Sequence, residues 1–212
     1  MIVEYRNINL SFKEIEIFKN FNLKIENGEK ILLKGKSGSG KTSLGNFLLG
    51  FTQPNSGEIY FQNELLNEKT IWKIRQKIAY VSQDVDLDEK KVMKIIAETF
   101  EFSGNKDKKL NKKMLKNLLK KFRLEDIILE KNVSKLSGGE RQRVGIILSI
   151  LLDRDIFVLD EATASLDKEL KAIVANYFSE INKTVISISH DKEWEDTNKY
   201  KVINIGDDKD GQ

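Results

Sequence analysis

The sequence contains no cysteine, one proline and one histidine. Without cysteine the chain can form neither disulfides nor thiolate metal sites, which is compatible with a reducing cytoplasm. The longest apolar run lies near residues 144–152 and is interrupted by Gly145 and Ser149, so it falls far short of the roughly 20 residues that span a bilayer. The first residues, MIVEYR, carry charges where a signal peptide needs an apolar core, so we expect no export signal. Any membrane role must then come through a partner.

A strong net charge is also missing. Lys and Arg number 36 against 33 Asp and Glu, a net charge of +3, so we expect no nucleic-acid partner. The length of 212 residues is enough for a sizeable core and predicts a single domain over residues 1–212. We expect residues 207–212 to form a frayed polar tail.

Residues 35–42 read GKSGSGKT and fit the phosphate-loop pattern G-x-x-x-x-G-K-[ST]. A predicted strand over residues 30–34 precedes them, and a helix-compatible run over residues 43–49 follows, which is the context that the pattern requires. We expect Lys41 to reach the β- and γ-phosphates of a nucleotide and Thr42 to offer its hydroxyl to Mg2+. The predicted nucleotide-binding residues here are Gly35, Lys36, Ser37, Gly38, Ser39, Gly40, Lys41, Thr42 and Ser43.

Alternating apolar and polar residues predict antiparallel strands at residues 2–10, 14–18 and 21–25. Phe12 falls between the first two, on a predicted loop. It is either an ordinary core contact or a platform on which a base stacks.

A further strand is predicted at residues 77–81 and is followed by Gln83, which is either a ligand or a polar exit residue. From residue 92 to 122 apolar residues recur at helical spacing, which predicts an inserted helical subdomain over residues 84–152. Its segment 106–123 is crowded with lysine. That segment is either a solvated helix face or a surface attracted to anionic headgroups or an acidic partner.

Residues 136–140 read LSGGE and precede an apolar helix. Ser137 and Glu140 have the spacing of a capping box, which accounts for both residues. It does not account for Gly138 and Gly139, since each glycine in a first helical turn costs up to about 1 kcal/mol relative to alanine. Bare N–H groups at a helix start suit a close-approaching phosphate instead.

The apolar run IFVL at residues 156–159 predicts a buried strand that delivers Asp160 and Glu161 at its carboxyl end, the edge of a parallel sheet where ligands bind. We expect Asp160 to hold Mg2+ through water and Glu161 to act as general base on an attacking water. Another buried strand, at residues 184–188, leads to His190, for which we favour a contact with the γ-phosphate.

The order of these motifs resembles that in the nucleotide-binding subunit of an ABC ATPase. The motifs are the phosphate loop, Gln83, LSGGE, the strand ending at Asp160 and Glu161, the run ASLD at residues 164–167, and His190. LSGGE after a phosphate loop is hardly found in other NTPase classes. The resemblance implies an α/β fold, with a phosphate-loop NTPase core on a mixed sheet, an N-terminal antiparallel β subdomain and an inserted α-helical subdomain.

Carried over residue by residue, the resemblance makes residues 35–42 the Walker A loop and residues 136–140 the signature, with Glu where Gln is commoner. Asp160 becomes the Walker B acid and Glu161 the catalytic glutamate. Gln83 becomes the Q-loop glutamine, with a catalytic and a metal-binding role, and Asp167 becomes the D-loop acid. His190 becomes the switch histidine, with a catalytic role. Phe12 becomes the aromatic residue that stacks on adenine, a position where tyrosine is more usual.

The family implies a head-to-tail dimer, here a homodimer, that closes on ATP and Mg2+. Ser137, Gly138 and Gly139 of one copy would cover the γ-phosphate held by the other. In a transporter the partner is a separately encoded integral membrane subunit, which places the chain in the cytoplasm on the inner face of the cell membrane. Residues 74–83 and 160–167 resemble export-type ATPases more than importers.

Two other classes stay open. A soluble ABC ATPase of iron-sulfur cluster assembly is also a single cassette and is the main alternative. A phosphate-loop nucleotide kinase is disfavoured because it has no use for LSGGE or for residues 164–167.

Overall fold

The fold contains a four-stranded and a five-stranded β-sheet. The computed structural model describes residues 1–206, and the tail predicted at residues 207–212 lies outside them. In chain order the strands are β1 (Val3–Phe12), β2 (Ile15–Ile25), β3 (Lys30–Lys34), β4 (Ser56–Phe61), β5 (Glu64–Leu65), β6 (Ile78–Val81), β7 (Ile156–Asp160), β8 (Thr184–Ile188) and β9 (Lys201–Asn204). The α-helices are α1 (Lys41–Leu49), α2 (Ile71–Arg75), α3 (Val92–Glu101), α4 (Lys112–Lys121), α5 (Gly138–Leu151), α6 (Lys168–Glu180) and α7 (Lys192–Glu195), and 3-10 helices lie at Ser103–Asn105, Asp126–Glu130 and Val133–Lys135.

The N-terminal sheet is antiparallel, in the order β2-β1-β4-β5. β1 and β2 form a long hairpin in which Val3 pairs with Ile25 and Phe12 with Ile15. The prediction of separate strands at residues 14–18 and 21–25 is wrong. The pairing with β1 continues through register shifts, so both segments belong to β2.

The second sheet has the order β6-β7-β8-β3-β9, and every neighbouring pair in it is parallel. β7 and β8 are buried along their whole length, which explains why they are continuous apolar runs without polar alternation. The α/β class is thereby confirmed, with the parallel and antiparallel strands divided between two sheets. The carboxyl ends of β3, β7 and β8 meet at one edge, where segments 35–42, 160–161 and 189–190 leave the sheet.

Each face of the parallel sheet has its own core. Ile31 and Leu33 of β3 join Phe47 of α1 and the antiparallel sheet on one face. Leu32 points the other way and joins a core that contains Phe157 and residues of α3 to α6. The alternation along β3 therefore places the phosphate loop between two packed layers.

Helices α3, α4 and α5 lie within residues 84–152, which connect β6 to β7; the assignment of this range as an inserted subdomain stays a prediction. Asn111 caps α4 by accepting a hydrogen bond from the Met114 N–H at 2.9 Å. The leucines of α4 are buried, and its exposed lysines are Lys112, Lys113, Lys116, Lys120 and Lys121. Contact of this face with anionic groups stays a prediction.

No helix within residues 1–206 has the length and apolarity needed to cross a membrane.

Candidate functional site

The phosphate loop connects β3 to α1, as predicted. The loop requires glycine at position 35 because a β-carbon there would lie 2.2 Å from the carbonyl oxygen of Ile205. The Lys41 ammonium donates to the carbonyl oxygens of Gly35 at 2.7 Å and Lys36 at 2.8 Å. Burial lowers the pKa of Lys41, although the carboxylates of Asp160 and Glu161 oppose the shift. Within residues 1–206, the hydrogen-bond acceptors of the Lys41 ammonium are thus neutral carbonyl oxygens of its own loop.

Asp160, at the end of β7, faces the start of α1. Its carboxylate accepts hydrogen bonds from the hydroxyls of Thr42 and Tyr80, both at 3.2 Å. Burial raises the pKa of Asp160, and these two hydrogen bonds act against that increase. Within residues 1–206 no group of three His, Asp or Glu side chains is placed to hold a metal ion. Asp160 and Thr42 supply two oxygen ligands of the kind that Mg2+ takes.

Glu161 follows β7 in the left-handed region, with φ of 49°. This conformation costs a residue with a β-carbon about 1–3 kcal/mol and is found mainly where surrounding contacts enforce it, often at active sites. Oε1 of Glu161 lies 3.9 Å from Nε2 of His190. Burial raises the pKa of Glu161, with His190 opposing the shift. A carboxylate whose pKa is moved towards neutrality is better suited to accept a proton.

These groups line one cleft of about 1030 Å³. The predicted site residues that the cleft brings together are Phe12, Ser37, Gly38, Gly40, Lys41, Thr42, Ser43, Gln83, Asp160, Glu161 and His190. Phe12 is the last residue of β1 and is 56% exposed, so its predicted loop position is wrong and it is not a core contact. It forms a wall of the cleft together with Ile15 and Ile17 of β2.

The signature segment lies apart from this cleft. Among the described residues that line it, Ser137, Gly138, Gly139 and Asp167 are absent. Ser137 and Glu140 form the capping box of α5. A β-carbon on Gly139 would lie 3.0 Å from the carbonyl oxygen of Ser165, which accounts for the second glycine by packing within the chain. A β-carbon on Gly138 would lie no closer than 3.9 Å to any neighbouring atom, so packing within the chain does not explain why this position is glycine.

Asp167 has a local structural role, because it caps α6 by accepting a hydrogen bond from the Leu170 N–H at 2.9 Å. Gly35, Lys36 and Ser39 belong to the loop but do not line the cleft in the described part of the chain. Their predicted contacts with nucleotide stay predictions.

Sequence reasoning missed three residues around the cleft. Tyr80 donates to Asp160. Asp191, next to His190, accepts hydrogen bonds from Thr163 at 2.9 Å and from the ammonium of Lys171 at 2.6 Å. Gln142 on α5 is 2% exposed and hydrogen-bonds to main-chain groups of Gln83, Glu161 and Ser165, which lie in two loops. A signal existed for Gln142, since it lies four residues before the buried Ile146 and so on the inward face of the helix.

Comparison with known proteins gives concordant results. A family model described as ABC transporter matches residues 18–164. The ergothioneine transport ATP-binding protein EgtV of Helicobacter pylori is 32% identical over 197 residues, which are 91% of this chain and 91% of that protein. An ATP-dependent lipid A-core flippase of Acinetobacter baylyi is 34% identical over 198 residues, and there the chain spans only 34% of the relative's length.

Among solved structures, the dimeric cassette MJ0796 superposes with a TM-score of 0.82 at 26% identity, covering 96% of this chain and 94% of that one. The same cassette in a post-hydrolysis state, bound to ADP and Pi, gives a TM-score of 0.79. The fold implied by the sequence resemblance is thereby confirmed.

Proposed function

This chain belongs to the ABC transporter family and is an ATP-binding ATPase, and from that premise we propose that it powers a transporter whose membrane-spanning part is a separate polypeptide. The observation that carries the proposal is the meeting of Lys41, the Thr42–Asp160 pair and Glu161 in one cleft. Support for a separate membrane subunit comes from EgtV, a transport ATP-binding protein that aligns with this chain over 91% of both lengths. The proposed location is the cytoplasmic face of the cell membrane.

The residues of the cleft fit a nucleoside triphosphate with Mg2+. Gly38 lines the cleft, and an ideal β-carbon there, where φ is 79°, meets nothing within 4 Å. We propose that backbone N–H groups of residues 37–43 bind the phosphates, that Lys41 exchanges its carbonyl partners for phosphate oxygens, and that Phe12 stacks on the base. Thr42, Asp160 and Gln83 would hold Mg2+, which neutralises phosphate charge during hydrolysis.

Glu161 is the proposed general base for the attacking water, and His190, beside it, is the proposed γ-phosphate contact. The left-handed backbone at Glu161 and the raised pKa of its carboxyl both support this role. Removing a general base typically slows a reaction by about 10²- to 10⁴-fold, so Glu161→Gln should retain ATP binding and lose most turnover.

A second copy completes the proposed site. Ser137, Gly138 and Gly139 do not line the cleft of their own chain as described, yet they start a 14-residue helix whose first N–H groups suit a phosphate. The relative MJ0796 is dimeric. We therefore place these residues, together with Asp167, against the ATP held by the other copy.

Size-exclusion chromatography with light scattering tests the composite site. Glu161→Gln protein should be a monomer without nucleotide and a dimer with Mg-ATP, and adding Ser137→Arg should abolish the dimer while leaving ATP binding intact. A Glu161→Gln monomer that binds ATP and never dimerises would refute the composite site. Wild-type turnover in Glu161→Gln would refute the assignment of the base.

An exposed aromatic surface supports the membrane partner. Phe51 is 61% and Trp72 69% exposed, and the Arg75 guanidinium lies 5.3 Å and 4.9 Å from their ring centroids. Exposed aromatic rings with arginine are typical of protein interfaces. We propose that this surface contacts the membrane subunit.

The experiment is purification of the tagged chain from detergent-solubilised membranes of its own cell. We expect a polytopic membrane protein to co-purify with wild type and to be lost in Trp72→Ala. The control, Ile127→Ala, removes an exposed side chain elsewhere and should retain it. Soluble assembly partners in its place would favour the iron-sulfur alternative. The export-type resemblance of residues 74–83 and 160–167 stays a prediction, which the identity of the membrane protein tests.

A further inference from the structure

Gln142 connects two loops of the site, the one after β6 and the one between β7 and α6, through one side-chain amide. Its Nε2 donates to the carbonyl oxygens of Gln83 and Glu161, both at 3.3 Å. Its Oε1 accepts from the N–H of Ser165 at 3.1 Å. The amide thus uses both donor hydrogens and one acceptor on main-chain groups, and none of these partners belongs to its own helix.

The contact with Glu161 fixes a backbone that is otherwise unfavourable. Glu161 has φ of 49°, and its N–H donates to the carbonyl of Ile188 at 2.9 Å. Its carbonyl accepts from the Ala164 N–H at 3.0 Å as well as from Gln142. Because the direction of the Glu161 side chain follows from this backbone, a loss of the Gln142 contact allows the carboxylate to move relative to the cleft.

The position of Gln142 on α5 gives the contact a second consequence. It lies one turn after Ser137, Gly138 and Gly139, the residues proposed above to cover the ATP of the other copy. The same side chain therefore joins the helix start that serves one ATP site to the carboxylate that serves the other.

We propose that Gln142 is a positioning residue for hydrolysis: it holds Glu161, the 162–166 turn and the Gln83 loop in register with the start of α5. This inference rests on the proposed function of Glu161 and the composite dimer. Gln142 does not line the cleft as described, and its described side-chain hydrogen bonds all go to main-chain groups, so we expect its effect on kcat and not on ATP affinity.

The test compares Gln142→Met and Gln142→Glu with wild type. Methionine keeps the length and burial of the side chain but loses all three hydrogen bonds. Glutamate keeps the acceptor for the Ser165 N–H, and it donates one hydrogen bond when protonated and none when ionised. The matched control is Ser149→Ala, which removes a buried hydroxyl of the same helix that bonds only to the Ile146 carbonyl at 2.7 Å.

We expect kcat to fall by about 10- to 100-fold in both Gln142 variants, with the KM for ATP within about threefold of wild type. In the nucleotide-free protein, hydrogen exchange of the Ser165 amide should accelerate in Gln142→Met and stay slow in Gln142→Glu. Ser149→Ala should match wild type in both measurements. A misfolded protein would not reproduce this selective pattern.

Unchanged kcat in a folded Gln142 variant would overturn the proposal, as would an equal loss in Ser149→Ala. If Gln142→Met does not fold, the kcat of Gln142→Glu decides the question. A separate arm adds Gln142→Met to Glu161→Gln, and ATP-dependent dimerisation should persist there. If Glu161→Gln alone does not dimerise, the composite site fails, whereas the exchange measurement still tests the Gln142 contacts independently.

Discussion

Replacing Gly40 by alanine tests the packing beneath the phosphate loop. Gly40 has φ of 95°, and this left-handed backbone costs a residue with a β-carbon about 1–2 kcal/mol. The new β-carbon would also lie 2.4 Å from Cζ of Phe18 and 2.7 Å from Cγ2 of Ile17. Phe18 is 5% exposed and packs on Phe21 with ring centroids 4.8 Å apart, so it cannot turn away without disturbing β2.

Crowding of this kind in a packed core costs about 1–3 kcal/mol, so with the backbone contribution we expect Gly40→Ala to lower the free energy of unfolding by about 2–5 kcal/mol. Gly38→Ala is the matched control. It lies in the same loop with φ of 79°, but its β-carbon meets nothing within 4 Å. Only the backbone contribution of about 1–2 kcal/mol applies to it.

Urea denaturation of both variants and wild type measures these differences, and titration with ATP on the folded proteins measures binding. Gly38→Ala should lose ATP affinity out of proportion to its modest destabilisation, because Gly38 lines the cleft within the loop proposed to bind the phosphates. Equal destabilisation by the two variants would refute the crowding argument, as would a Gly40→Ala protein within 1 kcal/mol, roughly, of wild type.

Three further predictions follow from contacts described above. Phe12→Ala should weaken ATP binding by about 1–3 kcal/mol, about 5- to 150-fold in Kd, without changing unfolding, and calorimetry can measure both; unchanged affinity would contradict base stacking. The Ser137 N–H lowers the pKa of Glu140 below its ordinary 4.5. Glu140→Gln should therefore lower Tm at pH 7, and this deficit should shrink as pH falls from 4.5 through the lowered pKa; a deficit independent of pH would argue against the capping contact. Asn111→Ala should cost about 1 kcal/mol in urea unfolding, and a neutral result would mean that the α4 cap contributes nothing.

The local parts of the site are predictable from the sequence. The phosphate loop is recognised by the spacing of its glycines, lysine and threonine, which phosphate binding requires. The run IFVLDE predicts a buried strand with two carboxylates at its carboxyl end, whatever the position of that strand in the sheet. The capping box of α5 is likewise written in four consecutive residues. The role of Asp167 follows less directly from the family resemblance, which makes it the D-loop acid. Its position before an amphipathic helix also predicts an N-cap, and the structure contains that N-cap.

Contacts between distant segments are not predictable in this way. The partners of Gln142 lie 59, 19 and 23 residues away along the chain, so no local pattern indicates them. The continuous strand β2 was hidden because its register shifts break the alternation on which strand prediction depends. Phe12 was misplaced for a related reason, since the hairpin turn after it is only two residues long.

The position of β3 in its sheet has a consequence for synthesis on the ribosome. β3 lies between β8 and β9, with Ile31 paired to Ile186 and Leu33 paired to Ile203. The nucleotide-binding loop is therefore translated early, but the strand that carries it has no hydrogen-bonding neighbours until residues 184–204 emerge. Pairings so distant in sequence form slowly and leave apolar strands exposed meanwhile. ATP bound at this loop can therefore stabilise the parallel sheet only after that point.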